Sequence, residues 1–309
     1  MGIAITPNGT TAYAVNGYEG TVTPITLATD TVGTPIRVGS NPGAIAITPD
    51  GETAYVTSSR TNNGSGCNNS GSNTVTPIAL ATNTAGAPIS VGSTPEAIAI
   101  TPDGKTAYIA LDDGTVTPIT VATNTVSTPI RVGTNFDAIA IAPNGKTAYV
   151  VNSNGYTITA ITLATSSVGT PISVGHHPDV GTYRNAIAIT PDGKTAYVAQ
   201  GDIVTPITLS TNIVGTAISG FSGHYDPQDI AITPNGKTAY VTDDGGTVTP
   251  ITVASNTAGT SIEGVDPQGI AITPKGATAY VVELSNSFGV AVIPITLATN
   301  SPGTPISLH

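Results

Sequence analysis

The chain has 309 residues, of which 39% are hydrophobic and only 9% are charged. Nine Lys and Arg against nineteen Asp and Glu give a net charge of −10, which would repel a phosphate backbone and excludes nucleic acid as a partner. The single cysteine excludes an internal disulfide, and no apolar run reaches the roughly 18 residues that a transmembrane segment needs.

One motif, of the form Ile-Ala-Ile-Thr-Pro-Asp-Gly-Lys-Thr-Ala-Tyr, recurs seven times along the sequence. A period of about 40 residues with strand-like sequence is typical of propeller blades. We therefore predict an all-β, seven-bladed β-propeller with four antiparallel strands per blade. The copies begin at Ile3, Ile45, Ile98, Ile139, Ile187, Ile230 and Ile270.

The repeats predict a single propeller domain over residues 1–309. The chain begins on the first strand of blade 1 and ends on the last strand of blade 7, so we expect no strand exchange between the termini. The predicted blades cover residues 1–43, 44–96, 97–137, 138–185, 186–228, 229–269 and 270–309.

Blade 3 shows how one repeat predicts four strands, which we name A, B, C and D. Residues 101–104 read Thr-Pro-Asp-Gly, a hairpin turn in which Pro fixes φ, Asp bonds the backbone and Gly takes a positive φ. The predicted strands are Ala97–Thr101, Thr106–Leu111, Thr115–Val121 and Pro129–Gly133.

Strand C carries a proline in six of the seven repeats. Proline cannot donate a hydrogen bond to a neighbouring strand, so a bulge or a short strand D is expected beside it. These prolines are Pro24, Pro77, Pro118, Pro206, Pro250 and Pro294.

The A–B and C–D connections keep one length in every repeat, whereas the B–C and D–A connections vary. In an antiparallel blade the two variable connections emerge at the same end, and rigid scaffolds carry their sites on such loops. Thirteen of the nineteen carboxylates fall there, which predicts an acidic face that attracts cations. The alternative is that the acidic loops only keep the protein soluble. These carboxylates are Glu19, Glu96, Asp112, Asp113, Asp137, Asp179, Asp202, Asp226, Asp229, Asp243, Asp244, Asp266 and Glu283.

Polar residues that differ between blades stand just before strand A and just after strand B, where we expect them to line the axial mouth. Such unlike residues suit an asymmetric ligand pocket, and the alternative is a water-filled channel. The candidate ligand-binding residues are Glu96, Asp137, Asn152, Asn185, Gln200, Gln228, Asp243, Gln268 and Glu283, with Arg184 and Tyr225 from the longest D–A loops.

Those two loops also bring the weak catalytic candidates His176, His177 and His224. Three imidazoles near carboxylates suit a metal site or an acid/base pair, and the alternative is exposed histidines with no ligand. No metal-ligand spacing, nucleophile elbow or dinucleotide-binding motif occurs in the sequence.

The repeat core, seen in Ala148–Asn152 and Thr53–Thr57, resembles the YVTN family of bacterial β-propellers over essentially the whole chain. The resemblance implies seven four-stranded blades and an exported or cell-surface protein. No signal-peptide pattern opens the sequence, so the expectation of export rests on this resemblance. Related lactonase-like and streptogramin-lyase-like propellers include metal-dependent enzymes, but no catalytic motif of theirs matches positions here.

We interpret the chain as an exported or cell-surface binding module whose acidic loop face takes a small molecule, a cation or a protein. The alternative is a metal-assisted lyase or hydrolase at the same mouth, which would use a divalent cation and the loop histidines. A third interpretation is a structural surface-layer element.

Overall fold

A computed structural model describes residues 1–59, 73–152, 155–175, 185–219, 221, 227–284 and 289–308. The chain folds into seven separate antiparallel sheets, which confirms the seven-bladed β-propeller, and the described residues contain no helix. No helix that could cross a membrane is therefore present in this part of the chain. The sheets fall into two compact units, unit 1 over residues 1–136 and unit 2 over residues 137–309.

Blades 1 to 3 supply the strands of unit 1. Blade 1 contains β1 (Ile3–Ile5), β2 (Thr11–Asn16), β3 (Thr21–Thr26), β4 (Thr31–Val32) and β5 (Ile36–Arg37). Blade 2 contains β6 (Pro42–Ile47), β7 (Thr53–Ser58), β8 (Thr74–Ala79), β9 (Thr84–Ala85) and β10 (Ile89–Ser90). Blade 3 contains β11 (Pro95–Ile100), β12 (Thr106–Leu111), β13 (Thr115–Thr120), β14 (Thr125–Val126) and β15 (Ile130–Arg131).

Blades 4 to 7 supply the remaining strands. Blade 4 contains β16 (Phe136–Ile141), β17 (Thr147–Asn152), β18 (Thr157–Thr162), β19 (Ser167–Val168) and β20 (Ile172–Ser173). Blade 5 contains β21 (Ala186–Ile189), β22 (Thr195–Gln200), β23 (Ile203–Thr208) and β24 (Ile213–Val214). Blade 6 contains β25 (Pro227–Ile232), β26 (Thr238–Asp243), β27 (Thr247–Thr252), β28 (Thr257–Ala258) and β29 (Ile262–Glu263). Blade 7 contains β30 (Pro267–Ile272), β31 (Thr278–Leu284), β32 (Val290–Thr296), β33 (Ser301–Pro302) and β34 (Ile306–Leu308).

The strands pair in the order A-B-C-D, and each blade is built from one continuous stretch of chain, so no strand is exchanged between the termini. Strand B of blade 3 has the predicted bounds, and strand C ends one residue early, at Thr120. Strand A begins two or three residues before the predicted blade boundary in blades 2, 3, 4, 6 and 7, for example at Pro95 in blade 3. The residues in front of the motif therefore belong to the sheet.

Strand D is interrupted opposite the strand C proline, as predicted. In blade 1 the two halves, β4 and β5, pair with opposite ends of β3. Between them the amide of Gly33 donates to the carbonyl oxygen of Pro24 at 2.8 Å, and a Cβ on Gly33 would lie 2.9 Å from the proline ring. Blade 4 has the same interruption beside Ala160, so the break in strand D does not depend on the proline ring.

Each A–B turn is held by its own side chains. In blade 3 the hydroxyl of Thr101 donates to Asp103 at 2.6 Å, and that carboxylate also accepts the amide of Lys105 at 3.1 Å. The hydroxyl of Thr101 in turn accepts the amide of Thr106. The hydrogen bond from Thr101 is the main reason that the pKa of Asp103 lies below its usual value. A turn closed in this way has a fixed length.

Neighbouring A–B turns also pack on one another within each unit. A Cβ on Gly104 would lie 3.4 Å from Pro49 of the preceding blade, and one on Gly236 would lie 3.4 Å from Pro191. Glycine at this position, with φ near 70°, serves both the turn and the close approach of the next one. Consecutive A–B turns therefore lie at the same end of a unit.

The C–D turns are tied to the preceding blade by the repeated tyrosine. Tyr55 donates from its hydroxyl to Asn124 at 2.6 Å, and Tyr197 donates to Asn256 at 2.5 Å. Asn124 and Asn256 have positive φ, a conformation that asparagine tolerates. The same asparagine thus forms the turn and binds the neighbouring blade, which accounts for the constant length of this connection.

Candidate functional site

The pairing order separates two ends of each blade. We call the end with the A–B and C–D connections the turn end, and the end with the B–C and D–A connections the loop end. Glu96 lies at the loop end of unit 1. The other described candidates lie at the loop end of unit 2, and their role in ligand binding stays a prediction: Asp137, Asn152, Asn185, Gln200, Gln228, Asp243, Gln268 and Glu283.

Five sequence candidates lie outside the described residues, namely His176, His177, Arg184, His224 and Tyr225. Within the part of the chain that the structure describes, no group of three or more His, Cys, Asp or Glu side chains is arranged to hold a metal ion. The described residues therefore provide no observation that favours the enzyme alternative with its divalent cation.

Candidates expected just before strand A lie inside that strand. Glu96, Gln228 and Gln268 are the extra residues of β-bulges, since the register against strand B shifts on either side of each one. The sequence prediction of their position was wrong because the strand extends back to the preceding Pro in these blades. A bulge redirects a side chain relative to the regular strand, and bulges are over-represented next to active sites.

Two carboxylates at the start of strand A join adjacent blades. Asp137 accepts a short hydrogen bond from the side-chain amide of Asn185 in the next blade. Asp229 accepts the amide of Ile230 at 2.8 Å and the amide of Ile270, one blade on, at 3.0 Å. Sequence analysis did not single out Asp229 as a positioning residue. The signal was available, since every other repeat has Ala or Gly at this position.

The residues that end strand B are mostly buried. Asn16 is 5% exposed and accepts the amide of Glu19, so it closes its own B–C loop. Asp243 is fully buried and accepts the amide of Thr247 at 3.1 Å and its hydroxyl at 2.5 Å. Burial raises the pKa of Asp243 in spite of these hydrogen bonds. The side chains of Asn16 and Asp243 therefore each hold the B–C loop that follows them.

Gln200 and Asn152 are different. Gln200 is 6% exposed, and its Nε2 has no hydrogen-bond acceptor among the described residues. The Oδ1 of the half-buried Asn152 likewise has no donor there. Buried polar atoms without a partner are rare in folded proteins and usually have a functional or solvent explanation.

A third irregularity lies in the B–C loop of blade 4. Tyr156 has a φ of 46°, in the left-handed region, where a bulky side chain is an outlier. Counted four residues back from the strand C proline position, the equivalent residue is Gly in three repeats, Gly20, Gly114 and Gly246, and is Asn73, Asp202 and Val290 in the others. Sequence analysis missed Tyr156, although aligning the repeats at this position shows it.

Charge is separated between the two ends of unit 2. All four described lysines lie in A–B turns, at Lys146, Lys194, Lys237 and Lys275. At the loop end of the same unit, the described residues include no Lys or Arg. The carboxylates there are Asp137, Asp202, Asp229, Asp243, Asp244, Glu263, Asp266 and Glu283.

Unit 1 lacks this separation. Arg37 and Arg131 lie on strand D and pair with the residues that begin strand C, at the loop end. Asp112 accepts the amide of Thr94, and Asp113 accepts the amide and hydroxyl of Thr115. The loop end of unit 1 therefore carries described arginines as well as carboxylates, and Asp112 and Asp113 accept hydrogen bonds from the loops of blade 3.

Comparison with known proteins supports the fold. The chain is similar to a solved structure of Kuenenia stuttgartiensis hydrazine synthase, with a TM-score of 0.80 and 21% sequence identity over 94% of each chain. At this identity the likeness shows the fold alone. No protein-family model matches the sequence. No curated protein matches it either.

Proposed function

We propose that the protein is an exported or cell-surface binding module of the YVTN type, which binds a cationic partner at the loop end of unit 2. The observation that carries this proposal is the charge separation within unit 2. Its described lysines all stand at the turn end, and eight described carboxylates stand at the loop end. A surface of one sign attracts groups of the other sign and raises their local concentration.

These carboxylates differ in their exposure and in the contacts that they make. Asp137, Asp229 and Asp243 are engaged in hydrogen bonds that hold blades or loops together. Asp244, Glu263 and Asp266 are exposed, and Glu283 is half-buried and accepts the amide of Asp266 at 3.5 Å. Blades 6 and 7 thus present the accessible negative charge, to which a protein or small molecule with ammonium or guanidinium groups would bind.

The experiment compares two matched neutralisations by calorimetric titration with tetralysine at low salt. The first replaces Asp244→Asn, Asp266→Asn and Glu283→Gln at the loop end. The control replaces Asp50→Asn, Asp103→Asn and Asp192→Asn in A–B turns, where other repeats already use Asn. Because exposed ion pairs contribute about 0.2–1 kcal/mol each, the three substitutions should weaken binding by at least about threefold, and only in the first variant.

Equal weakening in both variants would show that net charge, and not the loop end, governs binding, and would reject the proposal. Binding that does not weaken as salt rises would reject it as well, since exposed charges are screened. The proposed location rests on the family resemblance, and fractionation of the producing cells tests it: recovery of the protein in the cytosol alone would contradict export.

A further inference from the structure

The turn end of unit 2 carries a row of exposed lysines, one in each A–B turn. These turns have the same length in every repeat, and each packs on the turn before it. A Cβ on Gly193 would lie 3.5 Å from Pro143, and one on Gly276 would lie 3.2 Å from Pro234. The lysines therefore follow one another from blade to blade along one end of the unit. This lysine row consists of Lys146, Lys194, Lys237 and Lys275.

Little negative charge accompanies the lysine row. Asp192 is the one carboxylate among the described residues at the turn end of unit 2, and it lies 3.4 Å from the Nζ of Lys194, whose side chain is still 80% exposed. In blades 4 and 6 the residue at the Asp192 position is Asn, so the turns of Lys146 and Lys237 contain no carboxylate. The row is therefore positive in a protein whose net charge is −10.

Carboxylates gather at the opposite end of the same unit. In blade 6 a Cβ on Gly246 would lie 2.9 Å from the carbonyl oxygen of Val265, so the B–C loop packs on the D–A connection. Glu283 of blade 7 accepts the amide of Asp266, in that connection, at 3.5 Å. These contacts bring the carboxylates of blades 6 and 7 into one surface. This acidic patch consists of Asp244, Glu263, Asp266 and Glu283.

We propose that the cationic partner is a second copy of this chain, whose lysine row binds the acidic patch. The inference rests on the proposed function, because the acidic patch is the same site, and it names the partner. The two ends of unit 2 carry opposite signs, so copies stacked turn end to loop end bring complementary charges together, whereas contact between like ends opposes like charges. The lysine row supplies the ammonium groups that such a patch attracts.

The proposed contact joins two different surfaces, so it is heterologous. These surfaces lie at opposite ends of unit 2, and a pair of copies therefore leaves one lysine row and one acidic patch unoccupied. A further copy binds at either, so the protein forms stacks that lengthen with concentration. Exposed ion pairs contribute little individually and are screened by salt, so the association is weak and salt-dependent.

Static light scattering measures the sign of the interaction between copies, and the test compares about 0.01 M with about 0.15 M salt, where the Debye length falls from about 30 Å to about 8 Å. Net charge alone predicts repulsion at the lower salt. The lysine row and the acidic patch instead predict attraction there, seen as a negative second virial coefficient that is lost at the higher salt.

Two variants that lose the same three positive charges locate the attraction. The row variant should be repulsive at low salt, whereas the control variant, altered at exposed residues of unit 1, should keep the attraction. Unchanged melting temperatures check that both are folded. The row variant combines Lys146→Gln, Lys194→Gln and Lys237→Gln. The control variant combines Arg37→Gln, Lys105→Gln and Arg131→Gln.

Mixing two variants tests the head-to-tail geometry. The row variant keeps its acidic patch, and the variant with Asp244→Asn, Asp266→Asn and Glu283→Gln keeps its lysine row. Neither should associate with itself. In sedimentation equilibrium their mixture should form one-to-one pairs that do not lengthen into stacks, because each pair has no second intact surface.

Repulsion between wild-type copies at low salt, equal loss of attraction in the row and control variants, or a mixture that does not pair would each overturn the inference. Tetralysine binding separates this result from the proposed function. Tetralysine that binds at the loop end of a protein that does not self-associate would reject the second copy as partner and leave the cationic site standing. Tetralysine binding that is indifferent to the loop-end substitutions would reject the proposed function itself.

Discussion

The turn end and the loop end of each blade use polar residues in opposite ways. In the A–B turn of blade 5, the single proton of the Thr190 hydroxyl is shared between Asp192 at 2.7 Å and the carbonyl oxygen of Thr195 at 3.1 Å, and the hydroxyl oxygen accepts the amide of Thr195. At the loop end of the same blade, Gln200 is equally buried and its Nε2 has no acceptor among the described residues. Side-chain hydrogen bonds fix the geometry of the turn end, whereas the loop end of this blade has a buried side-chain amide that makes no hydrogen bond from its Nε2 to the described residues.

The carboxylates of the loop end differ from one another in the contacts that they make. Asp137, Asp229 and Asp243 are acidic like Asp244 and Asp266, yet they join blades or close loops. A count of carboxylates therefore overstates the binding surface. The exposure of each carboxylate decides whether a ligand can reach it, and Asp244 and Asp266 are exposed.

The largest expected effect concerns the crowded position before strand C. Gly114 and Gly264 share a φ of 85°, but only Gly114 faces a carbonyl oxygen that an added Cβ would overlap. We expect Gly264→Ala to cost about 1 kcal/mol from its left-handed backbone alone. Gly114→Ala should cost about 3 kcal/mol or more, because the backbone must also shift. Urea denaturation of both variants measures the difference.

The comparison of Gly114→Ala with Gly264→Ala also tests the interpretation of Tyr156, which is the blade 4 equivalent of Gly114. Equal losses for the two alanine variants would mean that the close approach carries no penalty. Tyr156 would then be an ordinary left-handed residue, and its strain would no longer indicate function.

A smaller expected effect is the pH dependence of stability, which should differ between the carboxylates of the two ends. A hydrogen bond from a Thr hydroxyl lowers the pKa of Asp50, Asp103 and Asp192 below 3.8. These carboxylates therefore stabilise the fold above pH 3.8, and that stabilisation is lost as the pH falls through their pKa in the folded protein. Burial raises the pKa of Asp243 above 3.8, so its contribution declines as pH rises through the folded value.

Melting temperatures measured against pH test these signs. Relative to the wild type, the variant with Asp50→Asn, Asp103→Asn and Asp192→Asn should become less stable as pH rises toward 3.8. Asp243→Asn should gain relative stability as pH rises above 3.8. Parallel curves for the two variants would contradict the distinction between the ends.

The sequence predicted the elements that local chemistry determines. The Thr-Pro-Asp-Gly turn of blade 3 follows from the φ preferences of its residues, and strand B of blade 3 follows from the repeat. The short strand D was also predicted, but its break occurs beside Ala160 in blade 4 as well, so the missing proline donor does not cause it. The bulges at Gln228 and Gln268 could not be predicted, because they depend on the register between strands A and B. The hydrogen bond between Tyr197 and Asn256 joins residues 59 positions apart, which no local pattern specifies.

The candidate site was predicted less well than the fold. Repeat position indicated which residues reach the loop end, but burial and hydrogen-bond partners determine what they do there. Asp243 closes a loop and Gln200 keeps a spare donor, although both end strand B. Asp229 was identifiable as a departure from the repeat, since every other blade has Ala or Gly at that position, and Tyr156 as the one aromatic residue at its position.

The most direct test of the account compares two substitutions in blade 5 by calorimetry, Thr190→Val at the turn end and Gln200→Met at the loop end. Both residues are buried, at 3% and 6% exposure. Thr190→Val breaks satisfied hydrogen bonds and should lower the melting temperature by about 2–6 °C. Gln200→Met should leave the melting temperature unchanged or raise it. A comparable fall for Gln200→Met would show that its amide stabilises the fold, and would contradict the account.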